Sequence, residues 1–176
     1  MLVFMIWVGA ASEASGPIES KSGWGSRVAV WVVGAAWLLL LFRRFPEPLG
    51  SQIFNPSQSL VIAGVVVTLI GLYFAVWAPF YLGKNWDSLI TLKLDHKLIR
   101  TGPYGIVRHP IYSGFMLAAI GTAFAVGQIR SFLAAFLVIV AWVYKSGLEE
   151  SFLLEHFGSE YEKYQRQVKR FIPYVW

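Results

Sequence analysis

Long apolar segments separated by short polar ones dominate this chain. An α-helix needs about 20 apolar residues to cross the hydrocarbon core of a bilayer. Only Ser59–Leu82 is long enough by itself, and the other segments need their flanking residues. The pattern predicts an all-α, polytopic integral membrane protein with about five transmembrane helices. They would be built around the segments Leu2–Ala11, Val28–Phe42, Ser59–Leu82, Ile111–Gly127 and Ser131–Tyr144.

The same pattern predicts how the last two helices are joined and how the chain begins. Gly127 and Arg130 leave room only for a tight turn, so the last two apolar segments are predicted to form a helical hairpin whose second helix continues toward Glu155. For Leu2–Ala11 we favour a retained first helix over a signal peptide, since no Lys or Arg precedes it. The polar stretch Ser12–Ser26 is expected to be an exposed connection.

Two further patterns concern helix packing. Small residues recur at near-helical spacing on two of the segments, which allows close packing of helices in lipid. They are Gly64, Thr68, Gly71 and Ala75 on one, and Gly114, Ala118, Gly121 and Ala125 on the next. Near the end of the chain, Tyr161, Tyr164, Val168 and Phe171 fall on one side of an amphipathic helix. We expect this tail helix to pack on the membrane surface, with a lid over a site as the alternative.

Composition agrees with a membrane protein. Hydrophobic residues make up 56% of the 176 residues and charged ones only 14%, against about 25% charged in soluble domains. The chain has no cysteine, which excludes disulfides and thiolate metal sites. The net charge of +5 comes mainly from Lys and Arg at the ends of apolar segments, so membrane lipids, and not nucleic acid, are the expected partner.

The distribution of basic residues predicts the orientation. Lys and Arg are concentrated in Gly83–His109 and in the tail after the last apolar segment, so both should lie in the cytoplasm. The hairpin between them is consistent with this. Five helices would then place the N-terminus outside. The Arg43–Arg44 loop would also fall outside, although basic loops usually lie in the cytoplasm.

A polar segment between two apolar ones is the first candidate site; residues 96–114 read HKLIRTGPYGIVRHPIYSG. Pro110 suits the first turn of a helix, which places His109 at a helix N-terminus. Unpaired backbone N–H groups there favour an anion, such as a ligand carboxylate. For Arg108 and His109 a binding role is favoured, whereas the other basic residues of the loop are better explained as interfacial side chains.

A second group of charges lies near the end of the last apolar segment. Paired carboxylates such as Glu149 and Glu150 are costly at membrane depth unless cations partner them. Lys145 and Glu149 are four residues apart on a helix, so a plain intrahelical ion pair is the alternative to a role in a site. Glu150 points about 100° away. Arg108, His109 and Lys145 are the expected partners of the two glutamates.

The sequence contains no recognisable metal-binding or soluble-type nucleotide-binding motif. Three histidines without cysteine make no recognisable zinc site, so no metal is expected, and there is no H-E-x-x-H. The chain also lacks a G-x-G-x-x-G after a strand and a P-loop.

A larger set of motif residues resembles the isoprenylcysteine carboxyl methyltransferase family. The resemblance covers about Leu94 to Pro173, and its parts stand in the order of that family. The residues that carry it are His96, Leu98, Gly102, Tyr104, Arg108, His109, Pro110, Tyr112, Gly114, Glu149, Glu150, Phe157, Gly158, Tyr161 and Tyr164.

The resemblance implies an S-adenosylmethionine-dependent membrane methyltransferase with its cofactor on the cytosolic side. Residues 1–82 would then supply N-terminal transmembrane helices and residues 83–176 the catalytic region. The cofactor would contact His96, Leu98, Ile99, Tyr104, His109, Pro110 and Tyr112, with Lys97 and Ile111 contributing backbone. One of the two glutamates would join them, for which we take Glu150. Arg108, Lys145, Glu149 and Glu150 are the implied catalytic residues.

The implied reaction is O-methylation of a prenylcysteine-like carboxylate on a lipophilic or lipidated substrate that enters from the bilayer. A carboxylate needs no general base, and Arg108 and Lys145 would orient it. The family often has Arg where this chain has Lys145, which offers a point charge and not a bidentate fork.

Three alternatives stay open. A phospholipid amine could be the methyl acceptor, in which case a glutamate would serve as base. Membrane sterol reductases, which use NADPH, share R-H-P-x-Y and an ending like Arg170–Tyr174. The non-enzymatic hypothesis is that the protein is a small scaffold or a transporter. The His96-x-Leu98 element and the adjacent pair Glu149-Glu150 favour the methyltransferase.

Overall fold

The computed structural model describes residues 18–21, 24–42, 44–83, 91–93 and 98–176. Within these ranges the predicted all-α architecture is confirmed. The predicted helix Leu2–Ala11, and the predicted cofactor residues His96 and Lys97, lie outside the described residues. The helices are α1 (Trp24–Leu41), α2 (Gln58–Leu82), α3 (Pro110–Val126), α4 (Ile129–Phe157) and α5 (Ser159–Gln167), with a 3-10 turn at Gly102–Gly105.

Of the described helices, α1, α2 and α4 are long and apolar enough to cross a membrane, and α3 is a shorter apolar helix. The described part therefore accounts for four of the five predicted apolar helices. The prediction that Ser12–Ser26 is an exposed connection is partly wrong. Strand β1 (Ile18–Lys21) pairs antiparallel with β2 (Thr91–Lys93), and α1 has begun by Trp24. The pattern missed this because the pairing joins residues about seventy positions apart.

Helices α2 and α3 pack antiparallel through their small residues, as predicted. A Cβ added to Gly71 would lie 2.5 Å from the carbonyl oxygen of Gly114, and one added to Gly64 would lie 2.6 Å from that of Gly121. The hydroxyl of Thr68 lies 3.2 Å from that of Thr122 across the same interface. Only residues without a side chain allow the two backbones to approach this closely.

Helix α1 packs on α4 through a stripe of small or apolar residues, and Arg130 joins the two at one end. This arginine is buried, and its Nη1 donates to the carbonyls of Leu39 (2.5 Å) and Leu40 (3.2 Å). The last carbonyls of a helix lack partners within it, so Arg130 satisfies those of α1. At the other end, Gly25 faces the hydroxyl of Tyr144. The two helices are therefore antiparallel.

The predicted hairpin between α3 and α4 is confirmed. Gly127 has a left-handed backbone (φ 71°), and its N–H donates to the carbonyl of Ala123. The chain before α2 covers this turn, since Ile53 donates to the carbonyl of Gly127 and Ile129 donates to that of Ser51. The hairpin returns the second half of α4 to the first turn of α3, where the polar side chains predicted for the site converge.

Candidate active site

The first turn of α3 leaves backbone donors unused. Pro110 occupies its first position, as predicted, and His109 precedes it with its side chain 6% exposed. The N–H groups of Ile111 and Tyr112 have no acceptor among the described residues, although both residues are buried. Such donors at the positive end of a helix are suited to an anionic group.

Glu150 receives the densest set of charged contacts in the described chain. Arg108 binds it through Nε (2.8 Å) and Nη2 (2.7 Å), and His109 Nε2 lies 3.1 Å away. Two more residues contact the Glu150 carboxylate. Gln165, within α5, places its Nε2 3.4 Å away, and Arg170, after the end of α5, places its Nη2 2.9 Å away. The expected partnership of Glu150 with Arg108 and His109 is present, and one carboxylate is shared by two guanidinium groups.

Glu149 organises a second cluster beside the first. Its carboxylate accepts from Tyr112 and lies 3.2 Å from Lys145 Nζ, so the intrahelical ion pair that their spacing allows is formed. Lys145 is 1% exposed and also donates to the Tyr112 hydroxyl at 2.8 Å. His109 Nδ1 lies 3.3 Å from Glu149. His109 therefore bridges the two carboxylates, one through each ring nitrogen.

The tail after α5 runs alongside the segment before α3. Arg108 and His109 donate backbone N–H bonds to the carbonyls of Lys169 (2.8 Å) and Arg170 (3.1 Å), and Ser113 Oγ donates to that of Phe171 (2.9 Å). Tyr161, Tyr164 and Phe171 are buried against the protein. The preference for a tail packed on the membrane surface is therefore wrong for this face.

Sequence reasoning missed Arg170, Phe171 and Gln165 as members of the site. Phe171 packs on His109 with ring centroids 5.8 Å apart, and the guanidinium of Arg170 lies 5.7 Å from the Phe171 ring centroid. In the sequence, the ending Arg170–Tyr174 indicates only a resemblance to reductases. No local periodicity connects it with His109, because the contacts join residues that are far apart in the chain.

Tyr104 lies in the 3-10 turn and is deeply buried. Burial, and then the nearby charge of Glu149, raise the pKa of Tyr104. Its backbone carbonyl accepts from Tyr164 at 2.6 Å. The predicted contacts Leu98 and Ile99 are half-buried just before this turn, and Arg100 pairs with Glu160 of α5.

Tyr164→Phe tests whether the tail is held on the 3-10 turn. Loss of the hydroxyl leaves the buried Tyr104 carbonyl without its donor, so we expect unfolding to become easier by about 1–2 kcal/mol. Thermal denaturation in detergent measures this. Tyr174→Phe is the control, since Tyr174 is 96% exposed. Equal losses in both variants would contradict a specific role of Tyr164.

His109 is the titratable group on which both carboxylates act. Burial lowers the pKa of His109. Its hydrogen bonds to Glu149 and Glu150, together with their charges, raise the pKa by a larger amount, so the net pKa lies above the ordinary value of 6.5. The folded protein therefore holds a proton on His109 at a higher pH than the unfolded chain does. This links folding stability to pH.

The sign of that link gives a prediction. A raised folded pKa contributes stability that is complete below pH 6.5 and is lost as the pH rises through the folded value. We expect the thermal midpoint of the protein in detergent to fall as the pH rises above about 6.5, and the slope to flatten in His109→Gln. His156→Gln, at an exposed position near the end of α4, should keep the wild-type slope. The same slope in His109→Gln would disprove the link.

Comparison with known proteins gives a consistent picture. A family model described as phospholipid methyltransferase matches residues 59–160, more than half of the chain. The protein-S-isoprenylcysteine O-methyltransferase of Schizosaccharomyces pombe is 33% identical over 137 residues, covering 75% of this chain and 56% of the relative. That of Saccharomyces cerevisiae is 30% identical over 124 residues, covering 68% and 51%.

A solved structure agrees. The eukaryotic intramembrane Ras methyltransferase ICMT (isoprenylcysteine carboxyl methyltransferase) superposes with a TM-score of 0.60 at 26% identity, over 85% of this chain and 53% of that one. The chain spans little more than half the length of these relatives. The apolar helices and this likeness identify an integral membrane protein. The chain therefore belongs to the phospholipid methyltransferase family, and its predicted resemblance to the isoprenylcysteine carboxyl methyltransferases is confirmed.

Proposed function

We propose that this chain transfers a methyl group from S-adenosylmethionine to the carboxylate of a prenylcysteine-like substrate, giving a methyl ester. The reaction would take place in residues 83–176, at the end of the helices where α3 begins. Residues 1–82 would supply supporting transmembrane helices. The names of the relatives support the substrate class, and the charge distribution of the site supports an anionic acceptor.

The residues at the start of α3 fit the cofactor. The free N–H groups of Ile111 and Tyr112 suit its carboxylate, and Glu149 suits its ammonium. Tyr104 is buried near the charge of Glu149 and would add a polar contact. When bound, S-adenosylmethionine supplies a methyl group on a sulfonium. The chain contributes alignment, which can account for a large part of the rate of a displacement between two bound reactants.

The choice of acceptor rests on Arg170, which has an unpaired buried donor and adds positive charge beside Glu150. Arg108 and Arg170 share the single carboxylate of Glu150, so positive charge exceeds negative charge around it. The Nε–H of Arg170 is buried and has no acceptor among the described residues. A carboxylate placed there would satisfy the donor and offset the charge. We assign to Arg170 the orientation of the acceptor that was predicted for Arg108 and Lys145. The donors of Arg108 are taken by Glu150 and by the carbonyls of Gln165 and Val168, and Lys145 donates to Tyr112 and Glu149.

The family description keeps a phospholipid amine as a second acceptor to consider. Such an ammonium must lose a proton before it can attack. Glu149 and Glu150, the predicted bases, are both engaged by cations. The excess positive charge around Glu150 would also repel a cationic headgroup. These contacts disfavour the amine, and the relatives named above are methyltransferases and not NADPH-dependent reductases.

Chemical stability of the product distinguishes the acceptors. Protein in detergent is incubated with methyl-labelled S-adenosylmethionine and either N-acetyl-S-farnesylcysteine or phosphatidylethanolamine vesicles. We expect label only with the prenylcysteine, released as volatile methanol by mild alkali. Label that resists alkali and travels with the phospholipid would overturn the proposal. Saturable binding of NADPH without binding of S-adenosylmethionine would overturn it as well.

Arg170→Gln tests the assigned orientation. Loss of a charged hydrogen bond corresponds to roughly 10- to 100-fold in affinity, so we expect the KM for N-acetyl-S-farnesylcysteine to rise by that factor. The KM for S-adenosylmethionine should change little. Arg166→Gln is the matched control, because Arg166 lies on the exposed face of α5. An unchanged acceptor KM in Arg170→Gln would remove Arg170 from the proposal.

A further inference from the structure

Gly147 lies in the interior of α4, where glycine is an unfavourable residue. Glycine destabilises the middle of a helix relative to alanine. At Gly71 and Gly114 the backbone of the facing helix would lie 2.5 Å from an added Cβ, which excludes any larger residue. At Gly147, by contrast, an added Cβ would meet no backbone atom of the described residues within 4 Å. Close packing of helices therefore does not explain this glycine.

The open space beside Gly147 faces a guanidinium group. The described atom nearest to an added Cβ is Arg170 Nη2, at 3.7 Å, which is the far end of a flexible side chain. The Arg170 side chain is 22% exposed, and Gly147 is half-buried. Arg170 Nη2 also lies 2.9 Å from Glu150, which follows Gly147 by three residues and so lies on the same side of α4. The missing side chain thus leaves a path from the outer surface of α4 to these charged groups.

The outward face of α4 leads along the helix to this space. Phe136, Val140 and Tyr144 stand at four-residue intervals and are 61%, 47% and 53% exposed. Gly147 comes three residues later, and at about 100° per residue the four positions fall within an arc of roughly 80°. Since the protein is integral to a membrane, an exposed apolar face of this kind contacts lipid. A hydrocarbon chain lying on this face would bring a polar group at its end to Gly147.

An open glycine is not by itself a sign of function. Gly34 of α1 has no described atom within 4 Å of an added Cβ either. Gly147 differs because a partly exposed arginine lies in front of it and an exposed row of apolar side chains ends at it. Together these features suit a methyl acceptor with a hydrocarbon chain and a carboxylate, because the chain requires an apolar surface and the carboxylate a cation.

We propose that Gly147 is a specificity-determining residue, whose missing side chain gives the carboxylate of the methyl acceptor access to Arg170. The hydrocarbon chain of the acceptor lies on the outward face of α4, along Phe136, Val140 and Tyr144. The width of the opening then limits the substituents that the carbon next to the carboxylate can carry. This inference rests on the proposed function, in which Arg170 orients the acceptor.

Two variants and two methyl acceptors test the size limit. N-acetyl-S-farnesylcysteine carries an acetamido group on the carbon next to its carboxylate, and S-farnesyl-3-mercaptopropionic acid is the same molecule without that group. Because overfilling a fitted space is costly, we expect Gly147→Ala to raise the KM for the N-acetyl acceptor about 5- to 100-fold, and the KM for the slimmer acceptor by a smaller factor. Gly147→Leu should raise both. The KM for S-adenosylmethionine should keep its wild-type value in each variant.

The effect of Gly147 should also depend on Arg170. If the opening serves the contact between the carboxylate and Arg170, Gly147→Ala adds little to the acceptor KM of Arg170→Gln, in which that contact is already lost. Two rises that multiply in the double variant would show that the residues act independently, and would overturn the proposed access to Arg170.

Folding separates this inference from a structural effect. An alanine Cβ at position 147 makes no close contact with the described residues and favours the helix, so the thermal midpoint of Gly147→Ala should equal or exceed that of the wild type. Gly34→Ala, the matched control, should leave both acceptor KM values unchanged. An unchanged KM for N-acetyl-S-farnesylcysteine in Gly147→Ala, the same rise for both acceptors in that variant, or an equal rise in the KM for S-adenosylmethionine would overturn this inference alone. Failure of the wild type to methylate either acceptor would instead overturn the proposed function and this inference with it.

Discussion

Replacing Glu150 with glutamine is expected to reduce folding stability by about 3–5 kcal/mol and to lower methyl transfer more than 100-fold. The carboxylate lies between Arg108, His109 and Arg170, and it is the acidic group that both guanidinium groups contact. A neutral amide leaves these cations buried without a counter-charge. Breaking a buried ion pair by removing one partner is among the costliest single substitutions. Chemical denaturation in detergent and initial rates measure the two effects.

The matched control is Glu162→Gln on α5. Glu162 also pairs with an arginine, Arg166, but the two side chains are 51% and 77% exposed, so water replaces the lost contact. We expect its stability and rate to stay close to those of the wild type. If Glu150→Gln keeps wild-type turnover, the carboxylate needed for methyl transfer is not Glu150, and Glu149 becomes the candidate. A variant that binds S-adenosylmethionine normally but no longer reacts would confine Glu150 to positioning the acceptor.

Gly114→Ala is expected to lower the free energy of unfolding by about 2–3 kcal/mol and the thermal midpoint by roughly 4–12 °C. The added Cβ would lie 2.5 Å from the carbonyl oxygen of Gly71 and 2.6 Å from the backbone nitrogen of Ala75. Neither backbone atom can rotate away, so α2 and α3 must separate. Because α3 carries Tyr112 at its first turn, we also expect weaker binding of S-adenosylmethionine.

Gly34→Ala makes the same chemical change where nothing lies within 4 Å of the new Cβ. Alanine favours a helix over glycine by about 1 kcal/mol, so this variant should be as stable as the wild type or more so. Thermal unfolding followed by circular dichroism compares the two. If both variants behave alike, close backbone approach does not stabilise the α2–α3 interface.

Parts of the candidate site could be predicted because they depend on neighbours along the chain. The ion pair of Lys145 with Glu149 follows from their four-residue spacing on one helix. The placement of His109 before a helix follows from Pro110, whose missing N–H is harmless only in the first turn. Arg108, His109 and Lys145 were the expected partners of the two glutamates, since the tight turn of the hairpin had to bring α4 back to the start of α3, and Arg108 and His109 do contact Glu150.

Other parts could not be predicted, because their contacts use backbone groups or single side chains of distant residues. Tyr164 donates to the carbonyl of Tyr104, sixty residues away, and no periodicity of either segment encodes this pairing. Arg170 reaches Glu150 only because the tail runs beside Arg108 and His109 through main-chain hydrogen bonds. A backbone donor carries no residue-specific signal, so the sequence is silent about its partner.

By itself, the amino-acid sequence determined the apolar helices, the hairpin, the small-residue interface and the residue types that make the site polar. These features follow from hydrophobicity, helical spacing and turn chemistry, which act over a few residues. The tertiary structure alone decided that the tail covers His109 and that Arg170 joins Arg108 on Glu150. Such contacts depend on how whole helices and strands are placed relative to one another, and that placement is fixed by packing over the entire fold.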